Sequence, residues 1–169
     1  MKEVLDKLSS YNIFNHLLPG VVFVILAEAL TTFHFVQQDI ILGIFLYYFI
    51  GMVISRLGSL VVEPSLKITG LLEVVPYSDF VTVSREDEKL VVLSESSNTY
   101  RTLCALFMAL VLLEGYERLS LSLPKIQPWT VEILIIALFA IFCMAYRKQC
   151  QYITKRVNSH IKTRGADHG

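Results

Sequence analysis

Hydrophobic and polar positions along this chain separate into long blocks instead of alternating. Residues 17–36, 40–62, 102–117 and 128–146 are dominated by apolar side chains. A helix needs roughly 20 such residues to cross a hydrocarbon core of about 30 Å. The first block holds one acid, Glu28, with His34 near its end. The second is uncharged up to Ser55, where Arg56 interrupts a run that stays apolar to Val62. The third has an uncharged core from Leu103 to Leu113, and Glu114, Glu117 and Arg118 crowd its end. The fourth begins at Pro128-Trp129 and stops at Arg147-Lys148. The pattern predicts an all-α membrane protein with four transmembrane helices, the second of them extended.

Three polar segments flank these blocks. Residues 1–16 place Val4, Leu5 and Leu8 on one helical face, the outline of an interfacial helix. Pro19-Gly20 then reads as the start signal of the first span. Residues 63–101 form the only sizeable polar segment between spans. Pro64 is expected to end or redirect the second helix, and Pro76-Tyr77-Ser78-Asp79 to form a capped turn. Residues 79–95 fit a helical face, with a hairpin pairing 80–83 to 90–93 as the alternative. Ser96, Ser97 and Asn98 are read as the cap of the third span. Residues 147–169 continue as a basic amphipathic helix, with Cys150, Ile153, Val157 and Ile161 on one side and Arg147, Lys148, Lys155 and Lys162 roughly opposite.

Composition sharpens the class. Charged residues are only 18 % of the 169, against about 25 % in soluble domains, and mean hydropathy is +0.55. So many clustered apolar residues exceed what a small soluble core could bury, which excludes a disordered chain, a disulfide scaffold and most soluble enzymes. Fifteen bases balance fifteen acids, so nothing points to a nucleic-acid partner. Their distribution is uneven: two, five and six bases fall in the three segments facing one side, and two in the links facing the other. Bases are retained on the cytoplasmic side, so both termini and the middle segment are expected there. Residues 17–26 followed by Ala27-Glu28-Ala29 also have the outline of a signal peptide. The preceding segment has no net charge, and retention as a span is the favoured reading. The three cysteines, Cys104, Cys143 and Cys150, have no CxxC spacing and are read as reduced packing residues.

Glu28 is the most informative single residue. A carboxylate near the bilayer centre costs about 2.5–3.5 kcal/mol, so it faces a partner or a cavity. It is a candidate cation or proton site, or a structural hydrogen-bonding group. Glu114 and Glu132 lie nearer the outer interface and are read as pairing with Arg118 or Lys125. Gly51, Ser55 and Ser59 repeat every fourth residue, a small-residue face for helix packing within the chain or between copies. Arg56 is expected to pair with Glu63 or with the middle segment. No HExxH, P-loop, GxGxxG or GxSxG pattern occurs, and the four histidines have no metal-ligand spacing. No catalytic residue, metal or cofactor is therefore expected.

Residues 11–20 (YNIFNHLLPG) and 98–102 (NTYRT) resemble stretches of small four-helix bacterial inner-membrane proteins, some of them similar to membrane components of phage-defence systems. The resemblance implies a bacterial inner-membrane setting. The leading expectation is a non-enzymatic scaffold or sensor subunit that forms a homo-oligomer in the lipid bilayer and engages a cytoplasmic protein partner. The alternative is an ion-conducting pore or transporter built on Glu28, for which the resemblance suggests an antiviral effector role.

Overall fold

The computed structural model describes residues 2–84, 87 and 89–166. Among them every regular element is helical. Three helices are long and apolar enough to cross a membrane, over Ile13–Leu30, Ile40–Ile68 and Pro124–Asn158.

Helix α1 runs unbroken over Lys2–Leu30, so the expected division between an interfacial helix at 1–16 and a span at 17–36 is not seen. Pro19 lies inside it rather than in its first turn. A proline there cannot donate to the Asn15 carbonyl, yet it is fully buried among neighbours that hold the helix together. The helix ends at Leu30, six residues before the expected boundary. Thr31 Oγ1 donates to the Ala27 carbonyl at 2.8 Å, and residues 32–38 leave the helix. Short hydroxyl side chains offer the backbone such alternatives to continued helix.

Asp39 restarts the chain as helix α2, Ile40–Leu57, its Oδ1 accepting from the amides of Ile41 at 2.8 Å and Leu42 at 3.1 Å. That is the N-cap role suited to aspartate. A π turn over Gly58–Val62 leads directly into helix α3, Glu63–Ile68. Pro64 thus does not end the helical path, which continues to Ile68. Gly70, with φ of 73°, reverses the chain in a conformation glycine tolerates.

Helix α4 covers Tyr77–Val83 and helix α5 covers Lys89–Ser122. The segment 79–95 is therefore helical over 79–83 and 89–95, with Ser84 in a turn and Asp87 outside regular structure; residues 85, 86 and 88 lie outside the described set. Ser96, Ser97 and Asn98 do not cap a new helix. They lie within α5, where Ser96 Oγ donates to the Val92 carbonyl at 3.1 Å. Over 34 residues α5 extends about 51 Å at 1.5 Å per residue. A 3-10 turn, Pro124–Trp129, opens helix α6, Thr130–Ala166. The basic tail continues α6 to Ala166, as the helical reading of 147–169 expected, with residues 167–169 outside the described set.

The core is made by α1, α2 and α5, through Phe23, Val24, Ala27, Ile54, Ala105, Leu106 and Leu110. Helix α6 contributes nothing to it. At the crossing of α1 and α2 the backbones touch. A Cβ placed on Gly20 would lie 1.7 Å from the Tyr47 carbonyl oxygen, and one on Gly51 would lie 1.7 Å from the His16 carbonyl oxygen. The contact is reciprocal, and neither obstacle is a side chain that could swing away. The His16 and Tyr48 rings pack alongside it, 5.4 Å apart.

This crossing is tested by glycine substitutions of opposite sign. Gly51→Ala should lower stability at or beyond the upper end of the usual overpacking cost of about 1–3 kcal/mol. Gly115→Ala, where a Cβ meets nothing within 4 Å, should raise it by about 0.5–1 kcal/mol. Thermal unfolding of the purified protein in detergent reads both.

Candidate functional site

One set of side chains that joins α6 to the rest of the molecule is a charged cluster around Glu63, and its origin is local. In a regular α-helix the Ser59 carbonyl would accept from the Glu63 amide. Here that amide donates to the Gly58 carbonyl, one residue earlier. In the π register the donor for Ser59 would be residue 64, and Pro64 has no N–H. The Ser59 carbonyl is left without a main-chain donor, and Lys148 of α6 fills the position. Its Nζ donates to the Ser59 carbonyl at 2.6 Å and to Ser59 Oγ at 2.8 Å.

Lys148 also reaches Glu63 Oε2 at 3.3 Å, where Arg101 Nη1 of α5 donates at 3.0 Å. Glu63 Oε1 accepts from Lys67 Nζ at 2.7 Å, one helical turn along α3. One carboxylate, its side chain only 15 % exposed, therefore serves three cations from three helices. Lys148 Nζ lies 5.9 Å from the centroid of the Tyr152 ring, within reach of a cation–π contact. Between α3 and α6 lies a cleft of about 290 Å3 lined by Glu63, Pro64, Lys67, Lys148, Gln151, Tyr152 and Lys155.

A second set of polar contacts closes the opposite end of the bundle. Glu117 of α5 accepts from the amide of Thr32 at 2.7 Å and from its hydroxyl. Glu28 Oε1 lies 2.8 Å from His34 Nδ1, and Oε2 accepts from the Phe35 amide at 3.0 Å. The hydroxyls of Tyr116 and Thr130 meet at 2.6 Å, joining the end of α5 to the start of α6. Glu114 pairs with Arg118 at 2.5 Å on the exposed face of α5.

The structure does not bring the sequence-derived candidates to one place. Glu28 is not in the middle of a helix: it sits two residues from the end of α1, with both carboxylate oxygens engaged by residues 34 and 35. Gly51 packs on α1, Ser55 is buried, and Ser59 faces α6. The small-residue face of α2 is thus used within the chain. Lys148 does not belong to a solvated basic face; it is the half-buried clamp on Ser59 and Glu63. Arg147 and Lys155 are exposed, and the side chain of Lys162 lies outside the described residues. Arg56 lines a shallow depression with Ser59, Leu60, Ala145, Lys148, Gln149 and Tyr152, while Glu63 takes Lys67, Arg101 and Lys148 as partners. The three cysteines are free and exposed, so they take no part in the core of the single chain.

Glu63 as a hub was missed by sequence reasoning, along with Lys67 and Arg101. The available signal was Pro64 five residues after Ser59, the spacing that strands a carbonyl in a π turn. No family model, curated protein or solved structure matches the chain.

Substitutions should grade the cluster. Ser59→Ala removes one hydroxyl acceptor but keeps the carbonyl, so its cost should be about 1 kcal/mol. Glu63→Ala leaves three cations facing each other and should cost about 3 kcal/mol, the range for breaking a buried pair. Lys148→Met should release the inner part of α6, read as a longer spin-label distance between α2 and α6 with the α1–α2 distance unchanged.

Proposed function

We propose that the chain is a four-span membrane protein with both termini on the cytoplasmic side, acting by association as a scaffold or sensor subunit and not as an enzyme. The observation that carries this reading is the pair of polar clusters, around Glu63 at one end of the bundle and around Glu117 at the other. At 1.5 Å per residue, Ile40 to Ser59 spans about 28 Å, Thr130 to Lys148 about 27 Å and Arg101 to Glu117 about 24 Å. These lengths match a hydrocarbon core of about 30 Å. They support assigning 102–117 of α5 as the fourth span, with its charges at the two polar clusters. The surplus of bases then faces the cytoplasm with the Glu63 end of the bundle.

Association is supported by α6. It meets α2 through the Phe49 and Phe142 rings, 6.0 Å apart, and through Lys148. None of its apolar stretch is buried. The outward face carries Ile136 and Phe139, 67 % and 72 % exposed, and small Ala140 and Cys143 beside them. In lipid, helices associate by close packing more than by hydrophobic drive, and small residues allow it. A second copy of the chain is the proposed occupant of this face. The polar groups of the cluster support a non-enzymatic role: both Glu63 oxygens are taken and Lys148 directs three contacts at Ser59 and Glu63. The engaged carboxylate of Glu28 likewise favours a structural role over a conduction pathway.

Two measurements test this reading. Reporter fusions after Gly70 and Gly169 should read cytoplasmic and one after Pro124 external; a different pattern would remove the four-span topology. With Cys104 and Cys150 changed to Ser, oxidation in native membranes should link Cys143 of one copy to Cys143 of another. A protein that stays monomeric in that assay and in native mass spectrometry would end the association reading.

A further inference from the structure

The cleft between α3 and α6 carries more positive charge than its single carboxylate can balance. Lys67, Lys148 and Lys155 line it, and Arg101 holds Glu63 from behind, so four cations face one anion. The hydrogen-bonding capacity is unequal among them. Lys148 Nζ has three donors and makes three contacts, two to Ser59 and one to Glu63. It supplies charge but no spare proton. Lys67 uses one donor on Glu63 and keeps two. Lys155 makes no ion pair among the described residues, and the Gln151 amide lies on the same wall. Glu63 does not repel an incoming anion strongly, because both its oxygens are already neutralised by cations.

We propose that this cleft binds a phosphate group. A phosphate offers several acceptor oxygens and a charge of −1 or more, which matches spare ammonium donors backed by fixed positive charge. The volume of about 290 Å3 lies at the low end of ligand sites, which begin near about 300 Å3, and suits one headgroup better than a large organic ligand. Two sources supply this chemistry: the headgroup of an anionic phospholipid and a soluble phosphate. The lipid source rests on the membrane placement proposed above, since basic pockets between spans on the cytoplasmic side are suited to headgroups. The soluble source does not depend on it.

The test uses the full chain and the double substitution Lys67→Gln with Lys155→Gln, which leaves Lys148, Arg101 and Glu63 in place. Circular dichroism and unfolding temperature establish that the variant is folded. In one arm, protein reconstituted in phosphatidylcholine vesicles with or without phosphatidylglycerol is examined by native mass spectrometry for retained lipid. In the other, inorganic phosphate and glycerol 3-phosphate are titrated by calorimetry. Retention of phosphatidylglycerol by the wild type, reduced at least about tenfold in the variant, supports the site with a lipid occupant. Absence of lipid retention with soluble phosphate binding that weakens in the variant supports the site with a soluble occupant and counts against its placement at the membrane surface. Equal binding by both proteins in whichever arm shows binding, or no binding in either arm, overturns the proposal. The reporter fusions above read topology independently, so failure of the site and failure of the membrane reading are distinguishable.

Discussion

The fold depends on two backbones meeting where side chains would normally keep them apart. Gly20 and Gly51 let the carbonyls of Tyr47 and His16 approach each other's helix, in a reciprocal contact that any Cβ would block. That approach sets the separation and register of α1 and α2. It brings Phe23, Val24 and Ala27 against Ile54, and α5 completes the core with Ala105, Leu106 and Leu110. Close approach of this kind is the packing mode available where lipid removes the hydrophobic drive between helices. Pro19, buried beside the contact, shows the same priority: its lost backbone bond is outweighed by the packing around it.

Attachment of α6 follows a different physical logic. It adds no buried side chain to the core, and its inner connection is polar. The π turn and Pro64 together strand the Ser59 carbonyl, and a stranded acceptor in a poorly solvated position is costly unless a donor reaches it. Lys148 provides that donor and brings a charge, which Glu63 offsets. Glu63 in turn holds Arg101 and Lys67. A single defect in main-chain hydrogen bonding thereby organises a cluster joining α2, α3, α5 and α6. Its energy comes from a few charged contacts, which respond to the surrounding dielectric and to local anions more than apolar packing does.

The same economy explains the far end. Residues 31–39 carry no regular structure, yet Glu28, Glu117 and Thr32 tie them to α1 and α5. A carboxylate that looked isolated in an apolar block is occupied by the chain's own turn. Distance from the start of a hydrophobic run was a poor guide to its place in the helix, because the helix ends before the run does.

Apolar blocks, the helical class and the absence of recognised catalytic spacing are properties of composition and period, and these the sequence determined by itself. So was the small-residue character of Gly51, Ser55 and Ser59, since only short side chains permit close packing whatever the partner. Which partner each would meet was not legible, because packing partners lie far apart along the chain: Gly51 against His16 of α1, Ser59 against Lys148 of α6. Pro64 sits in the first turn of α3 after the π turn, and the half-buried to exposed 96–98 triplet lies inside α5, so helical continuity at neither rests on burial. Continuity through Pro19 was decided by tertiary structure: local propensity marks it as a breaker, and full burial against neighbouring helices overrode it. The roles of Glu28, Glu63 and Lys148 belong to the same class. A charged residue's function depends on which donor or acceptor reaches it, and only the folded chain brings Ser59, Glu63, Arg101 and Lys148 to one place.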